Sequence, residues 1–397
     1  MTTTTLPTRW VGAGWSDDAD PVRAGEQAIR QAVTGDAPAL VVVFASTAHD
    51  LAQVARGIRS QVPQQVPLVG CSTAGEIVGT GPRDASVAVM VFGGGFTVRV
   101  ASADGLAEDS RRAGENVATE LTRRNATART EHHVVLLLSD GLAGDQQALV
   151  AGVYRVTGST VPLVGGCAGD DLRMHQTYQL VGDVDGDRVL TGSVVAVWLG
   201  SDAPFGIGVQ HGWNRIGAPL VVSHSEGNTV YGLDDQPALD LYLRLLDAPA
   251  AAHHDQAAFT RFSLSHPLGI SSRSQDAVRF VAGADYQARS LTLLAPAPAG
   301  GLAWLMGGDV GSVLSATDAA CESALAQLGD HPPRGLLAFD CIARREVLGE
   351  NTGDEVARIV GRGSSAPVIG FYTYGEIART RGISGFHNQT LVVLAVG

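Results

Sequence analysis

One short segment occurs three times in this chain, and this repetition is the strongest constraint on its fold. The three copies read VPLVGCSTAGEI, VPLVGGCAGDDL and APVIGFYTYGEI, at residues 66–77, 161–172 and 366–377. In each copy a proline precedes a short apolar strand, and a loop of small residues then ends in glycine and a carboxylate. We call these loops the first, second and third corner, at residues 70–76, 165–170 and 370–376. Such repetition predicts a chain built by duplication, with the corners placed to assemble a site.

The residues around each corner predict a unit of alternating strands and helices. In the first unit, the periodic patterns indicate helices at 21–33 and 51–62 and strands at 40–44 and 86–92. The same order recurs at residues 96–101, 110–123, 134–138, 146–156 and 193–199, and again at residues 302–306, 313–328, 336–339, 354–360 and 391–396. The strands are continuous apolar runs, which is typical of strands covered on both faces.

Each unit ends in a strand, a loop and a second strand, without a helix between them. Because neighbouring parallel strands need a long crossover, this ending favours mixed sheets. We therefore predict an α/β fold of mixed β-sheets flanked by helices, with internal βαβαββ pseudo-repeats. Residues 205–295 depart from the pattern. We place a domain boundary near Gly227, which gives a domain at 1–227 with two pseudo-repeats and a domain at 228–397 with one pseudo-repeat and a divergent segment.

Composition narrows the functional classes. The chain has 397 residues, of which 45% are hydrophobic and 17% charged, as in a globular protein with a sizeable core. The net charge of −12 argues against nucleic acids and anionic membranes as partners. No apolar run approaches the ~20 residues of a membrane span, and residues 1–7 lack a signal-peptide pattern, so we expect a cytoplasmic protein. A phosphate-binding GxxxxGK[ST] loop is excluded because the chain has no lysine, and Gly206 and Gly208 are too isolated to indicate a nucleotide site.

Cys71 and Cys167 follow strands in matching loops, as a catalytic nucleophile would. A thiol becomes reactive only when a neighbouring base or cation lowers its pKa. Phe371 takes the place of Cys71 in the third corner, so the corner does not require sulfur. A small buried residue is therefore the favoured interpretation, and we expect no catalytic residue. A cysteine-dependent enzyme acting on small metabolites is kept as an alternative.

The polar residues of the corners are candidates for ligand binding. Ser72 and Thr73 can bond a ligand or their own loop. Glu76, Asp170 and Glu376 each follow a glycine. A carboxylate in a partly dry pocket binds an ammonium group strongly, whereas the structural alternative is that it accepts bonds from backbone N–H groups closing the turn.

Other candidates differ between the copies or lie at predicted strand ends. They include tyrosines with aromatic hydroxyl groups, arginines whose guanidinium groups could bind a carboxylate, and polar residues near the last strand. These candidates are Asp140, Arg344, Arg345, Tyr372, Tyr374, His387 and Asn388. Helix capping is the competing role for Asp140, and a surface or ion-paired position is the competing role for the arginines.

Several of these segments, in this order and spacing, resemble the FIST family of bacterial signal-transduction proteins. In the first half the resemblance is carried by Gly70–Glu76 and Gly165–Cys167. In the second half it is carried by residues 234–242, 267–270, 339–345, 370–377 and 387–390. The resemblance extends from about Leu40 to the C-terminus and implies an N-terminal and a C-terminal FIST domain.

The resemblance implies a sensory module that binds a small polar ligand such as an amino acid. Members of the family often occur beside kinases, chemoreceptors or cyclic-dinucleotide enzymes. We therefore expect a stand-alone sensor that passes its signal to a separate protein such as a histidine kinase, and that needs no metal or cofactor. The alternative that the resemblance allows is a sensor of nitric oxide that binds haem b and regulates a histidine kinase. The candidate haem ligands are His211, His266 and His387.

Together these observations predict that the three corners surround a shared hollow of ligand size, at strand ends and between the two halves of the chain.

Overall fold

Three α/β units follow one another along the chain. In the computed structural model, the described residues are 8–123, 130–271, 277–380 and 385–397. The first unit consists of β1 (Trp10–Ser16), α1 (Pro21–Ala32), β2 (Pro38–Ser46), α2 (Leu51–Arg59), β3 (Leu68–Thr73), β4 (Glu76–Val78), β5 (Gly81–Arg83) and β6 (Val87–Gly93). The second unit consists of β7 (Thr97–Ala103), α3 (Leu106–Arg123), β8 (His132–Ser139), α4 (Gln146–Thr157), β9 (Leu163–Cys167), β10 (Gln179–Asp183), β11 (Gly186–Leu190) and β12 (Val194–Ser201).

The third unit is interrupted by a long insertion. It begins with β13 (Phe205–Gln210), and the insertion then contributes β14 (Asn214–Glu226), β15 (Thr229–Leu233), β16 (Gln236–Pro237), α5 (Ala238–Leu245), α6 (Gln256–Ser263), β17 (Leu268–Ile270), β18 (Ala277–Arg279), β19 (Val281–Asp285), β20 (Ser290–Leu293) and β21 (Leu302–Gly307). The unit resumes with α7 (Val310–Ala326), β22 (Gly335–Cys341), α8 (Ile342–Leu348), α9 (Thr352–Arg362), β23 (Val368–Thr373), β24 (Glu376–Arg379), β25 (Phe386–His387) and β26 (Leu391–Val396). We call residues 211–307 the inserted domain and the three units together the body.

The three units exchange their last hairpins. We call β4–β5, β10–β11 and β24–β25 the arms, because each follows a corner and leaves its own unit. The first arm extends the third sheet, giving the order β13-β26-β22-β23-β4-β5. The second arm extends the first sheet (β1-β6-β2-β3-β10-β11), and the third arm extends the second sheet (β25-β24-β9-β8-β12-β7). The predicted α/β class with mixed sheets and pseudo-repeats is confirmed, and the arms link the repeats in a closed cycle.

The first strand of the third unit is not the segment 302–306 that the sequence predicted. That segment lies in β21, which pairs with β14 and β17 of the inserted domain. The first strand of the third unit is instead β13, which pairs with β26. A Cβ at Gly206 or Gly208 would lie within 2 Å of a backbone oxygen of α7, at 1.9 Å and 1.8 Å respectively. These glycines therefore allow helix α7 to pack closely against the strand.

The inserted domain has its own antiparallel sheet, in the order β18-β17-β21-β14-β15-β20-β19. Its apolar core includes Tyr242, Phe259 and Leu268. Gly227, where we placed the domain boundary, lies in the turn between β14 and β15, inside this sheet. Two contacts of Gln389 fasten the inserted domain to the body: its side chain donates to the Leu264 carbonyl at 2.6 Å, and its carbonyl accepts from the Trp213 indole at 2.9 Å.

The inner faces of the three sheets share one apolar core, and the helices cover the outer faces. Phe44 of the first unit lies between Phe339 and Phe371 of the third, with ring centroids 6.2 and 4.6 Å away. Asp50 and Asp145 cap α2 and α4 by accepting bonds from backbone N–H groups in the first turn. Among the described residues, no helix is both long and apolar enough to cross a bilayer.

The glycine that opens each corner is required by close contact with the neighbouring strand. A Cβ at Gly70 or Gly370 would lie 2.3 or 2.1 Å from a backbone oxygen, that of Val43 or Ala338. We predict that Gly70→Ala lowers the free energy of unfolding by about 1–3 kcal/mol, because the strands must separate to admit the methyl group. Urea denaturation measures this loss. The control is Gly79→Ala, where a Cβ meets nothing within 4 Å; equal stability of the two variants would contradict the packing argument.

Candidate functional site

The three corners meet, as the repeats predicted, but they bond to one another through their backbones. The Ala74 N–H donates to the Tyr372 carbonyl at 3.0 Å, and the Tyr372 N–H donates to the Gly75 carbonyl at 2.9 Å. Cys167 donates to the Gly375 carbonyl at 2.8 Å. The side chains below these contacts are buried. Of the cavities described below, none lies between the corners, so the predicted shared hollow is replaced by a closed junction.

Two of the corner carboxylates occupy matching positions inside this junction. Glu76 accepts from the Thr73 hydroxyl within its own corner and from the hydroxyl and N–H of Ser86, at 2.6 and 3.2 Å. Glu376 accepts from the Thr373 hydroxyl at 2.5 Å. It also accepts from the hydroxyl and N–H of Thr390, at 2.8 and 3.0 Å. Both carboxylates are fully buried, so their function is to hold the end of a strand against the start of an arm.

Gln179, and not Asp170, is the counterpart of these carboxylates in the second unit. Like Glu76 and Glu376, it begins an arm and pairs with the residue that follows the glycine of a neighbouring corner. Its amide is buried, and neither its nitrogen nor its oxygen has a hydrogen-bond partner within residues 8–123, 130–271, 277–380 and 385–397. Ala168 occupies the position of Thr73 and Thr373, so the second unit lacks both the threonine hydroxyl and the carboxylate that accepts its bond. Sequence reasoning aligned Asp170 instead because the second corner continues into a longer loop before β10.

Burial changes the acidity of the two carboxylates. It raises the pKa of Glu76 to about 8, and the bonds from Ser86 and Thr73 offset part of the shift. It raises the pKa of Glu376 to about 7 against the opposing bonds from Thr373 and Thr390. Both groups therefore hold a proton at pH values where an exposed glutamate is ionised.

The cysteines do not have the environment of a nucleophile. Burial raises the pKa of Cys71 well above its usual value, and nearby Cys167 and Glu76 raise it further. Burial likewise raises the pKa of Cys167 to about 12. The thiolate is the reactive form, so the raised pKa values and the complete burial of both side chains disfavour a nucleophilic role. The neighbouring Ser72 is also buried, with its hydroxyl donated to the Gly169 carbonyl at 2.7 Å.

The arginines proposed as carboxylate clamps form ion pairs with carboxylates of the protein itself. Arg344 is completely buried and is ion-paired with Asp340 at 2.8 Å and Glu355 at 2.5 Å. Arg345 pairs with Asp84 at 2.7 Å and lies over the Tyr372 ring at 4.7 Å. The Arg345–Asp84 pair joins the third unit to the residue that follows the first arm. Neither arginine lines the two pockets described below.

Asp140 and the histidines also have internal partners. Asp140 accepts from the Thr177 hydroxyl at 2.7 Å and from two backbone N–H groups. His387 is bonded to the Ala378 carbonyl through Nε2 at 3.0 Å, and His266 to the Phe262 carbonyl through Nδ1 at 2.8 Å. His211 accepts from the Trp213 N–H at 2.9 Å. None of the three histidines lines either pocket, so these residues do not fit a haem site there.

The loop that follows the second corner is held in a strained conformation. Asp171, Leu172 and Met174 all have positive φ angles, of 56°, 60° and 53°. Asp170 fixes this loop by accepting from the N–H groups of Met174, His175 and Gln176, which is the structural alternative considered above. Burial alone would raise the pKa of Asp170, but these bonds and one from Tyr374 lower it. We call residues 170–176 the flap.

Tyr374 of the third corner clamps the flap. Its hydroxyl donates to Asp170 at 2.5 Å and accepts from the Leu172 N–H at 2.9 Å. Backbone strain of this kind costs about 1–3 kcal/mol per residue and is concentrated at functional sites. The clamp therefore acts together with the backbone bonds of Asp170 to keep the strained flap in place.

A cleft beside this clamp separates the body from the inserted domain. Its volume is about 460 Å³, and we call it the tyrosine pocket. The body contributes Gly141, Leu142, Gly144, Asp145, Gln146, Met174, Tyr374 and Phe386, and the inserted domain contributes Asn228, Leu294, Ala295 and Pro296. Three of the apolar side chains at the pocket are exposed, namely Leu142, Met174 and Leu294, at 37%, 62% and 43%.

A second cleft of about 500 Å³ continues from the first along helix α4. It shares Asp145 and Pro296 with the tyrosine pocket, and we call it the arginine pocket. It is lined by Arg111, Asp145, Gln147, Ala148, Ala151, Ile270, Ser271, Ala277, Arg279, Pro296 and Pro298. Both pockets thus lie between the body and the inserted domain.

Of the residues proposed from sequence as ligand-binding, Tyr374 alone lines one of these pockets. Sequence reasoning missed the contributions of the inserted domain and of the start of α4. The one available signal was the break in the repeat at residues 205–295, which marked where extra structure would lie.

Two family models together cover almost the whole chain. The FIST N domain matches residues 39–236, and the FIST C domain matches residues 238–379. The chain belongs to the FIST family. FIST domains are sensory domains in signal transduction. The junction between the two FIST regions therefore lies in the inserted domain, which forms one wall of both pockets.

The chain of this FIST protein is similar to several curated proteins and, more distantly, to solved structures. An uncharacterized protein of Mycobacterium tuberculosis is 25% identical over 392 residues, covering 96% of this chain and 97% of the relative. An uncharacterized protein of Methanocaldococcus jannaschii is 26% identical over 271 residues, covering 63% of this chain and 50% of the relative. Among solved structures, the chain is similar to a chorismatase (TM-score 0.38, 12% identity, 99% of each chain) and to a cyanuric acid hydrolase (TM-score 0.35, 12% identity, 98% of this chain and 100% of that chain). Neither structural likeness bears on function.

The buried carboxylates predict a dependence of stability on pH. Between the ordinary glutamate pKa of 4.5 and the folded value of about 8, the folded state keeps a proton on Glu76 that the unfolded state has lost. The free energy of unfolding should therefore decrease as pH rises through this range, by roughly 1 kcal/mol per pH unit from Glu76. We predict that Glu76→Gln removes this part of the slope, since Gln179 shows that an amide fits the matching position. Urea denaturation from pH 5 to 9 tests it, with exposed Glu350→Gln as the control; an unchanged slope in Glu76→Gln would refute the assignment.

The clamp on the flap can be tested separately. Tyr374→Phe keeps the ring but removes both hydroxyl contacts, so we predict at least tenfold faster amide hydrogen exchange at residues 171–176, for a loss of about 1.5–3 kcal/mol. The matched control is Tyr286→Phe, whose hydroxyl bonds the Ala252 carbonyl in the inserted domain. If exchange in the flap is the same in the two variants, Tyr374 does not hold it.

Proposed function

We propose that this FIST protein senses a small polar molecule, such as an amino acid, that binds in the tyrosine pocket. The observation that carries the proposal is that this pocket is built from both sides of the cleft between body and inserted domain. A ligand that contacts both sides favours the closed arrangement by its differential affinity, which is the requirement for a conformational signal.

The chemistry of the pocket supports a ligand with both polar and apolar parts. The Asp145 carboxylate, the Asn228 amide and the Tyr374 hydroxyl offer partners for ammonium and amide groups. The exposed side chains of Leu142 and Leu294 offer an apolar surface. A volume of about 460 Å³ lies within the ordinary range of small-molecule sites.

The flap supports a role in transmitting the signal. Met174 lies in the flap and lines the tyrosine pocket, and Tyr374 both lines the pocket and holds the flap. A ligand that contacts Tyr374 competes with or reinforces this clamp. The strain in the flap then favours a second arrangement when the clamp is released, and a separate signalling protein, such as a histidine kinase, a chemoreceptor or a cyclic-dinucleotide enzyme, reads the difference.

Thermal unfolding in the presence of single amino acids tests the proposal. A ligand present at about 100 times its dissociation constant should add about 2.7 kcal/mol to the free energy of unfolding. We predict that Asn228→Trp abolishes this stabilisation, because an indole at this exposed position fills the pocket. Asn214→Trp is the matched control, since Asn214 is exposed on the same domain outside the pocket. Stabilisation by no amino acid, or equal stabilisation of both variants, would reject the proposed site.

A further inference from the structure

Arg279 is buried without a compensating carboxylate. It is 6% exposed at the end of β18, and among the described residues no acidic group forms an ion pair with it. Its Nη1 donates to the carbonyl of the preceding residue, Val278, at 3.2 Å. Its Nε is buried and has no hydrogen-bond partner in the part of the chain that the structure describes.

The comparison with Arg344 shows how unusual this environment is within the chain. Arg344 is also buried, but it has Asp340 and Glu355 as partners. A buried charge without a partner destabilises a protein strongly, and burial accordingly lowers the pKa of Arg279. A purely structural role does not account for the buried Nε donor, which is unpaired among the described residues.

Two further sources of positive potential face the same cavity. Arg279 lines the arginine pocket, and Arg111 of α3 lines it as well. The first turn of α4 contributes Gln147 and Ala148, and the N-terminus of a helix attracts anions through its free N–H groups and dipole. Among the described residues that line it, Asp145 is the one acidic residue; it lies where the arginine pocket meets the tyrosine pocket and caps α4 by accepting from the Ala148 N–H at 2.9 Å.

We propose that the arginine pocket binds an oxyanion group, a carboxylate or a phosphate, of the sensed molecule, with Arg279 as the principal contact. A planar guanidinium bonds such a group through two parallel N–H donors. The inference rests on the proposed function, because it assigns the second pocket of the same cleft to the same ligand. It adds that the ligand carries a negative group which lies along α4, beyond the contacts made at Tyr374.

Isothermal titration calorimetry with succinate and with inorganic phosphate, at constant ionic strength, tests this site. We expect at least one probe to bind the wild-type protein, and Arg279→Met to weaken it about 10- to 100-fold, as expected for losing a hydrogen bond to a charged group. Arg111→Met, at an exposed position, should weaken the same probe less. Arg261→Met is the matched control, since Arg261 is exposed on α6 of the inserted domain and outside the pocket, and should bind normally. Comparison of the two probes separates a carboxylate site from a phosphate site.

Thermal unfolding supplies a second readout. In chloride buffer without either probe, Arg279→Met should unfold at a higher temperature than wild type, because it removes an uncompensated buried charge. A lower unfolding temperature together with undiminished probe binding would overturn the inference, as would failure of both probes to bind wild type. If amino acids stabilise wild type and Arg279→Met equally, the proposed binding of amino acids in the tyrosine pocket is retained and the proposed oxyanion site is rejected. If a probe binds through Arg279 and no amino acid stabilises the protein, the proposed amino-acid ligand is wrong instead.

Discussion

The exchange of arms between units is the constraint on which the rest of the structure depends. Each sheet is completed by a hairpin from another unit, so no unit can complete its sheet alone. The first and third arms begin at the end of their corners and the second arm follows its corner after the flap, and the exchange therefore draws all three corners to one junction. At this junction the backbone groups of the corners satisfy one another, and Glu76 and Glu376 tie the strand ends to the arms.

Because the junction is closed, recognition has to take place where the repeats differ. The second unit carries a long loop before its arm, which becomes the flap, and the third unit carries the inserted domain. The third corner has Tyr374, whose hydroxyl reaches the flap. These three departures from the repeat come together around the tyrosine pocket. The positions that match between the repeats, such as Glu76 and Glu376, are instead buried and hydrogen-bonded within the protein.

The sequence predicted the parts of this structure that depend on local patterns. Continuous apolar runs predicted the central strands and periodic patterns predicted the helices beside them, because both signals act within a few residues. The exchange of arms was not predictable, since pairing between distant strands leaves no mark in a single sequence. The position of Gln179 was missed because the loop length before β10 differs. Arg344 has the ion-paired role that was considered as the alternative to ligand binding, but the sequence did not identify its partners, which lie on β22 and α9. Both pockets were missed because their walls come from segments far apart in the chain.

The account predicts that a small ligand lies between the body and the inserted domain and not at the junction of the corners. A crystal structure of the protein with the amino acid that most raises its unfolding temperature tests this most directly. The account predicts electron density for that amino acid in the tyrosine pocket, in contact with Tyr374 and the inserted domain. Density for the ligand among Glu76, Gln179 and Glu376, or at a surface remote from the cleft, would contradict it.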